Sequence, residues 1–236
     1  MLLTVLGKYG PYPKAGGGTS SYLLFSGDKK ILLDAGSGCL SRLQTHIRPD
    51  DLDMIFLSHL HWDHCAEMFI MSYALDGNKI DAYLPKSPMG LYAMLENTGK
   101  FNVRVVDDFL KLKRDDIHVS FCRMEHPVET YAIRLQDGDA VFVYSGDSVY
   151  TEKLAEFAKG ADVLLIDSGF MGPPDPEKKR PHMTVTEAAE IARQAGVKQL
   201  FLTHINPSYN EEMLFLEAAR VFENTLVVQE NLQYEF

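Results

Sequence analysis

The stretch "SHLHWDH", residues 58–64, contains three of the chain's eight histidines and an aspartate within seven positions. The residues before it, "LDMIFL" (52–57), are apolar and typical of a buried strand. In α/β folds, ligands bind at the carboxyl ends of strands. The side chains of His59, His61, Asp63 and His64 therefore predict a ligand site at a strand end.

The spacing within this stretch indicates a metal site. Alternate residues of an extended strand share a face, so His59 and His61 can reach one point. A helix that starts near Asp63 would direct Asp63 and His64 toward a second point. Neutral imidazole and carboxylate are ligands of zinc and similar ions. Two neighbouring points suggest a dinuclear site, with metals typically ~3.5–4 Å apart, and such a site needs ligands from elsewhere.

Further candidate ligands follow other predicted strands. They are His126 in "MEHPVET", Asp147 in "VYSGDS" and His204 in "FLTHINP". His46 and His118 have no such flanks, and we interpret them as packed or exposed histidines without a site.

Composition limits the classes of function. The 236 residues are 46% hydrophobic, which suits one globular domain over 1–236. The net charge of −10 opposes binding to long nucleic acid. Three cysteines without a CxxC pair suggest no disulfide framework. Neither a signal peptide nor an apolar stretch long enough for a membrane is recognised, so a cytoplasmic protein without a membrane partner is expected.

The order of predicted elements is that of an α/β protein with an internal echo. "ILLDAGSG" (31–38) resembles "LLIDSGF" (164–170), and "IFLSH" (55–59) resembles "LFLTH" (200–204). A real repeat would give two βα layers packed sheet to sheet, with strand ends converging on one cleft. Chance similarity between buried strands is the alternative.

Taken together, these motifs resemble the metallo-β-lactamase superfamily. "SHLHWDH" matches its HxHxDH signature, and His126, Asp147 and His204 match its later motifs in order. Asp34 of "LLDAG" matches its first, largely structural motif. The resemblance implies a four-layer αββα sandwich of two mixed sheets with helices outside.

The resemblance also implies a ligand set for two divalent metal ions. His59, His61 and His126 would hold one ion, Asp63, His64 and His204 the other, and Asp147 would bridge them. Zinc is expected first, with manganese and iron as alternatives that accept the same donors.

The stretch "RPHMTVTEAAEIA", residues 180–192, points to one branch of this superfamily. It resembles the His-x-Thr/Ser-x-x-x-Ala signature of ribonuclease Z and its phosphodiesterase relatives. The resemblance implies that His182 approaches the scissile phosphate. Asp167 stands where that group usually has a glutamate that orients this histidine, and it is one methylene shorter. A bridging Asp147 argues against true β-lactamases.

Ribonuclease Z grips tRNA with a basic arm between its third and fourth motifs, whereas here His126 and Asp147 are separated by a single predicted hairpin. With the acidic charge, this favours a small anionic substrate, such as a cyclic nucleotide, cleaved by attack of metal-bound hydroxide. Asp63 is a candidate for taking a proton from this nucleophile, and His182 for stabilising the developing charge or protonating the leaving oxygen. The alternatives are hydrolysis of a lactone or thioester, and metal or nucleotide binding with little turnover. A homodimer is left open.

The loop "GFMGPPDPEKKRPH", residues 169–182, leads into His182. Two interpretations stay open for it: a surface loop, or a lid whose Lys178, Lys179 or Arg180 meets an anionic substrate.

Overall fold

A computed structural model of the chain describes residues 1–172 and 180–236. Lys178 and Lys179 lie outside the described residues. The chain divides into two compact units, one formed by 1–106 with 229–235, the other by 107–228 with 236. Among the described residues, each unit contains one seven-stranded mixed sheet and three α-helices. The expectation of a single domain over 1–236 stays a prediction.

The first unit is built on a sheet of strand order β14-β1-β2-β3-β4-β5-β6. Its strands are β1 Leu2–Gly7, β2 Ser21–Ser26, β3 Lys29–Leu33, β4 Met54–Phe56, β5 Ile80–Leu84, β6 Phe101–Val105 and β14 Gln233–Glu235. Its helices are α1 Cys39–Leu43, α2 Trp62–Ala74 and α3 Met89–Asn97. Strands β3 to β6 run parallel, and the other pairings are antiparallel.

The core of this unit contains residues from its strands and its helices. Leu32 of β3 and Ile55 of β4 are fully buried, together with Met68 and Met71 of α2. Burial of such side chains contributes roughly 1.5–3 kcal/mol each. The core therefore holds α2, which carries two of the predicted ligands, near the ends of β3 and β4.

The second unit has the strand order β13-β12-β11-β10-β9-β8-β7. Its strands are β7 Lys111–Arg114, β8 Ile117–Arg123, β9 Tyr131–Asp137, β10 Ala140–Tyr144, β11 Val163–Asp167, β12 Gln199–Thr203 and β13 Thr225–Val227. Its helices are α4 Glu152–Phe157, α5 Val185–Ala195 and α6 Glu211–Ala219. Strands β10 to β13 run parallel, and the others antiparallel.

The two sheets share one pattern, three antiparallel pairings followed by three parallel ones. The sequence echo does not follow that pattern. It pairs β3 with β11, yet β3 lies where antiparallel pairing changes to parallel, and β11 lies between two parallel neighbours. The strand equivalent to β3 is β10. Buried strand ends have similar composition wherever they lie in a sheet. The sequence similarity therefore shows that both strands are buried, and it does not show that they occupy equivalent positions.

Local signals predicted the hairpin of the second unit correctly. The predicted hairpin between His126 and Asp147 is formed by β9 and β10, and its turn contains Gly138 at a φ of 58°. Glycine accepts this left-handed conformation without steric cost. Among the described residues, no helix is both long and apolar enough to cross a bilayer.

Candidate metal centre

The end of β4 places His59 and His61 side by side. The strand ends at Phe56, the chain bends at Ser58, and His61, directly before the first residue of α2, is extended with φ −71° and ψ 152°. Nε2 of His59 lies 3.0 Å from Nδ1 of His61. The two rings therefore lie together, as their spacing of two residues predicted.

Asp63 and His64 lie in the first turn of α2. The backbone N–H of His64 donates to the carbonyl of His61 at 3.0 Å, which turns the chain at this point. Oδ2 of Asp63 lies 3.6 Å from Nε2 of His64, and the His64 ring lies 4.1 Å from that of His59. The four side chains predicted as ligands from this stretch thus lie together in the first unit.

Asp34, at the end of β3, holds the two buried histidines in place. Its carboxylate accepts hydrogen bonds from the backbone N–H of Ser58 at 2.7 Å and from the Ser58 hydroxyl at 2.8 Å. It also lies 2.7 Å from Nδ1 of His64. Because a carboxylate has no proton to donate, Nδ1 of His64 is the protonated nitrogen, and Nε2 carries the lone pair that a metal needs.

The same carboxylate acts on His59 through Ser58. The Ser58 hydroxyl donates its only hydrogen bond to Asp34. Its oxygen therefore accepts a hydrogen bond from Nδ1 of His59 at 3.0 Å. Nε2 of His59 then also carries a lone pair. The sequence singled out Asp34 as structural but missed Ser58, whose only local signal is its position directly before the first histidine.

We predict that Asp34→Ala lowers the free energy of unfolding by about 3 kcal/mol or more, since it leaves buried donors of Ser58 and His64 without their acceptor. Asp34 also has a φ of 55°, which aspartate tolerates better than alanine. Urea unfolding in the presence of chelator measures the change apart from metal binding. Asp76→Ala, at an exposed position of the same unit, is the control and should stay within about 0.5 kcal/mol of the wild type. An equally small change in Asp34→Ala would contradict this role.

In the second unit, His126 follows β8 and is oriented by a backbone carbonyl. Its Nδ1 lies 2.9 Å from the carbonyl oxygen of Pro181. A carbonyl only accepts, so Nδ1 is protonated and Nε2 carries the lone pair. Nε2 lies 4.0 Å from Oδ2 of Asp147.

Asp147 and His204 are nearly completely buried at the ends of β10 and β12. Oδ1 of Asp147 lies 3.4 Å from Nδ1 of His204, and its Oδ2 lies 3.7 Å from Nδ1 of His182. One nitrogen or oxygen atom from each of Asp147, Asp167, His182 and His204 lies within 4.8 Å of the others. Asp147 and His204 are buried carboxylate and imidazole donors of the kind that hold a divalent ion, whereas Asp167 and His182 pair with each other.

His182 is held by the residue predicted to orient it. Nδ1 of His182 lies 2.9 Å from Oδ2 of Asp167, and its ring stacks on that of His204 with centroids 4.8 Å apart. The Asp167 carboxylate also accepts from the backbone N–H of Ser148 and of Gly169. Burial raises the pKa of Asp167, while the charge and hydrogen bond of His182 act to lower it. The 2.9 Å contact shows that an aspartate is long enough to reach His182 here.

The backbone around His182 explains this reach. Thr184 caps α5, and its hydroxyl accepts from the N–H of Glu187 while the Glu187 carboxylate accepts from the N–H of Thr184. A Cβ on Gly169 would lie 3.1 Å from Cβ of His182, so glycine allows the close approach. The cap and this contact together place His182 beside the end of β11.

Neither His118 nor Cys65 belongs to these clusters. His118 is exposed on β8. Cys65 is buried in α2, and burial raises the pKa of its thiol to about 12, which fits a packed thiol.

Comparison with known proteins identifies the family. A model of the β-lactamase superfamily domain matches residues 29–205. The probable metallo-hydrolase YhfI of Bacillus subtilis is 33% identical over 233 residues, which cover 94% of both chains. A ribonuclease Z of Archaeoglobus fulgidus is 28% identical over 299 aligned residues, which cover 99% of this chain and 97% of the ribonuclease. That alignment is longer than this chain, so the ribonuclease contains residues that have no counterpart here.

Solved structures show the same relationship. The crystal structure of Bacillus subtilis YhfI matches with a TM-score of 0.93 and 30% identity, over 100% of this chain and 99% of that one. A diphosphatase of the PhnP family matches in fold, with a TM-score of 0.75 and 19% identity over 100% and 97% of the two chains. The predicted fold class, two mixed sheets with helices outside as in metallo-β-lactamases, is thereby confirmed. The chain belongs to the β-lactamase superfamily of metallo-hydrolases.

Proposed function

We propose that this protein is a dinuclear metal-dependent hydrolase that cleaves a small phosphodiester, with a cyclic nucleotide as the first candidate. The observation that carries the proposal is the pair formed by His182 and Asp167, 2.9 Å apart beside the buried Asp147 and His204. A histidine fixed in this way next to metal-type donors is equipped to act on a leaving oxygen.

The proposed ligand set combines residues of the five motifs. His59, His61 and His126 would hold one ion, Asp63, His64 and His204 the other, and Asp147 would be shared between them. The support for this assignment is the order of the motifs along the chain together with membership of the family. Zinc is the proposed metal, and manganese and iron accept the same donors. Divalent ions at such sites lower the pKa of water and polarise phosphoryl oxygens.

The side chains of the chain itself have separate tasks. Asp167 accepts a hydrogen bond from Nδ1 of His182, which sets the orientation of the ring. Protonated His182 then stabilises negative charge on the phosphate or donates a proton to the leaving oxygen. Asp63 is the proposed acceptor for the proton of the attacking water.

The connection between His126 and Asp147 supports a small substrate. It contains only β9, β10 and their short turn, so it has no room for a protruding tRNA-binding arm. The net charge of −10 further opposes the docking of a polyanion. Both features favour a small anionic substrate over precursor tRNA.

An apolar cavity in the first unit supports a substrate with an aromatic part. It has a volume of about 360 Å³, and one of its lining residues is Trp62, which lies between His61 and Asp63 in the sequence. Its lining residues are Trp62, Cys65, Ala66, Phe69, Leu91 and Met94. Trp62 is 74% exposed and offers a ring on which a nucleobase could stack.

We expect cyclic AMP or cyclic GMP to be hydrolysed with a kcat/KM at least about 100-fold above that of precursor tRNA, because an acidic chain without an arm offers few positive groups to further phosphates. Rates are measured at one salt concentration for both cyclic nucleotides, bis(p-nitrophenyl) phosphate, precursor tRNA, a homoserine lactone and a β-lactam. Cleavage of tRNA with cyclic nucleotides untouched would contradict the inference from the missing arm. Cleavage of the lactone alone would replace the phosphodiester by a neutral ester as substrate.

A further inference from the structure

Arg180 carries a positive charge that no carboxylate neutralises among the described residues. Its Nη1 atom is buried and has no hydrogen-bond partner within that part of the chain. Its guanidinium carbon lies 5.0 Å from the centroid of the Phe170 ring, a cation–π contact that orients the group. A buried charged donor without an acceptor is unfavourable, and a bound anion would remove that cost.

The position of Arg180 connects it to the candidate metal centre. It lies two residues before His182, and the carbonyl of the intervening Pro181 accepts from Nδ1 of His126 at 2.9 Å. Arg180, Pro181 and His126 line one cavity of about 400 Å³. A cationic side chain and a predicted metal ligand therefore face the same space.

We propose that Arg180 binds the negatively charged oxygens of the substrate's phosphate and thereby selects anionic over neutral esters. This inference rests on the proposed function, and it deepens it by naming the side chain that distinguishes a phosphodiester from a lactone. A guanidinium suits this task because its planar fork can donate two parallel hydrogen bonds to phosphate. The Phe170 ring contacts one face of the guanidinium. The N–H groups of Arg180 stay available to an anion in the cavity.

Glu125 provides the matched control, because its exposed side chain lines the same cavity. If Arg180 served only to offset this carboxylate, removal of either charge would have small and opposite effects on anion binding. If Arg180 is the anion site, only the arginine is required. Water screens the exposed Glu125, so its effect on a bound phosphate is expected to be small.

The experiment measures the dissociation constant of inorganic phosphate by calorimetry, in metal-loaded protein at one pH and salt concentration. Wild type, Arg180→Met, Arg180→Lys and Glu125→Gln are compared after their metal contents and melting temperatures are shown to agree. We expect Arg180→Met to weaken phosphate binding about tenfold or more, and Arg180→Lys to weaken it less because it keeps a point charge. Glu125→Gln should bind phosphate at least as tightly as the wild type.

Two results would overturn the proposal: equal phosphate affinity in Arg180→Met and wild type, or no measurable phosphate binding by the wild type. The same variants are tested on a neutral ester such as p-nitrophenyl acetate, whose kcat/KM should not depend on Arg180. Phosphate binding that depends on Arg180 in an enzyme that cleaves only lactones would reject the proposed function and retain the anion site. Phosphodiester cleavage with no dependence on Arg180 would reject the anion site and retain the proposed function.

Discussion

Asp147→Ala is expected to lose metal at both ion positions and to lower kcat by about 10³-fold or more. Metal ions contribute several kcal/mol to transition-state stabilisation, and each 1.36 kcal/mol corresponds to a tenfold change in rate. The structural reason is that both carboxylate oxygens of Asp147 face imidazoles, Oδ1 towards His204 at 3.4 Å and Oδ2 towards His126 at 4.0 Å. Elemental analysis of protein purified without chelator checks this, with about two equivalents expected in the wild type.

The control for this variant is His118→Ala, which removes an exposed imidazole from the same unit. It should retain the metal content and the rate of the wild type. A stoichiometry that stays at one in fully loaded wild-type protein would refute the dinuclear assignment. Full occupancy in Asp147→Ala would refute the bridging role of this residue alone.

His182→Ala is expected to lower kcat by about 10²-fold or more while metal content stays unchanged. A general acid–base group contributes typically 10²–10⁴-fold to the rate. His182 is assigned to the substrate and not to the ions, so its removal should leave metal content as it is. A variant with wild-type turnover would show that the histidine is a loop residue without a chemical role.

The contribution of Asp167 is separable from that of His182 by a double-mutant cycle. Asp167 acts as a positioning residue, since its carboxylate touches His182 and two backbone N–H groups. Asp167→Asn should therefore lower kcat in the wild type but change it little in the His182→Ala background. Equal losses in both backgrounds would mean that Asp167 acts through the fold and independently of His182.

The sequence by itself was sufficient for the ligand stretch and its neighbours. The alternation of side chains along an extended segment and the turn into a helix are local properties. The stretch "SHLHWDH" therefore predicted that His59 and His61 lie together. Nε2 of His59 lies 3.0 Å from Nδ1 of His61. The motif order also predicted the family and the fold class. Local patterns even sufficed for the β9–β10 hairpin, because Asp-Gly turns act over two residues.

Elements that depend on distant partners were predicted less well. The short strand β14 was missed because its three residues have no apolar pattern and pair with β1, at the other end of the chain. The apparent repeat of β3 in β11 was misplaced by one strand, because a sheet position is defined by neighbours and not by composition.

Only the tertiary structure decided how the candidate site residues are held. Asp34 lies 24 residues from Ser58 and 30 from His64, yet it accepts hydrogen bonds from both. Asp167 reaches His182 across 15 residues, although an aspartate is one methylene shorter than the glutamate usual at this position. Parallel pairing of neighbouring strands brings their carboxyl ends to one edge of the sheet, and the hydrogen bonds made there between distant residues set the ring orientations. A sequence shows which donors and acceptors exist, but the folded sheet determines which of them come within hydrogen-bonding distance.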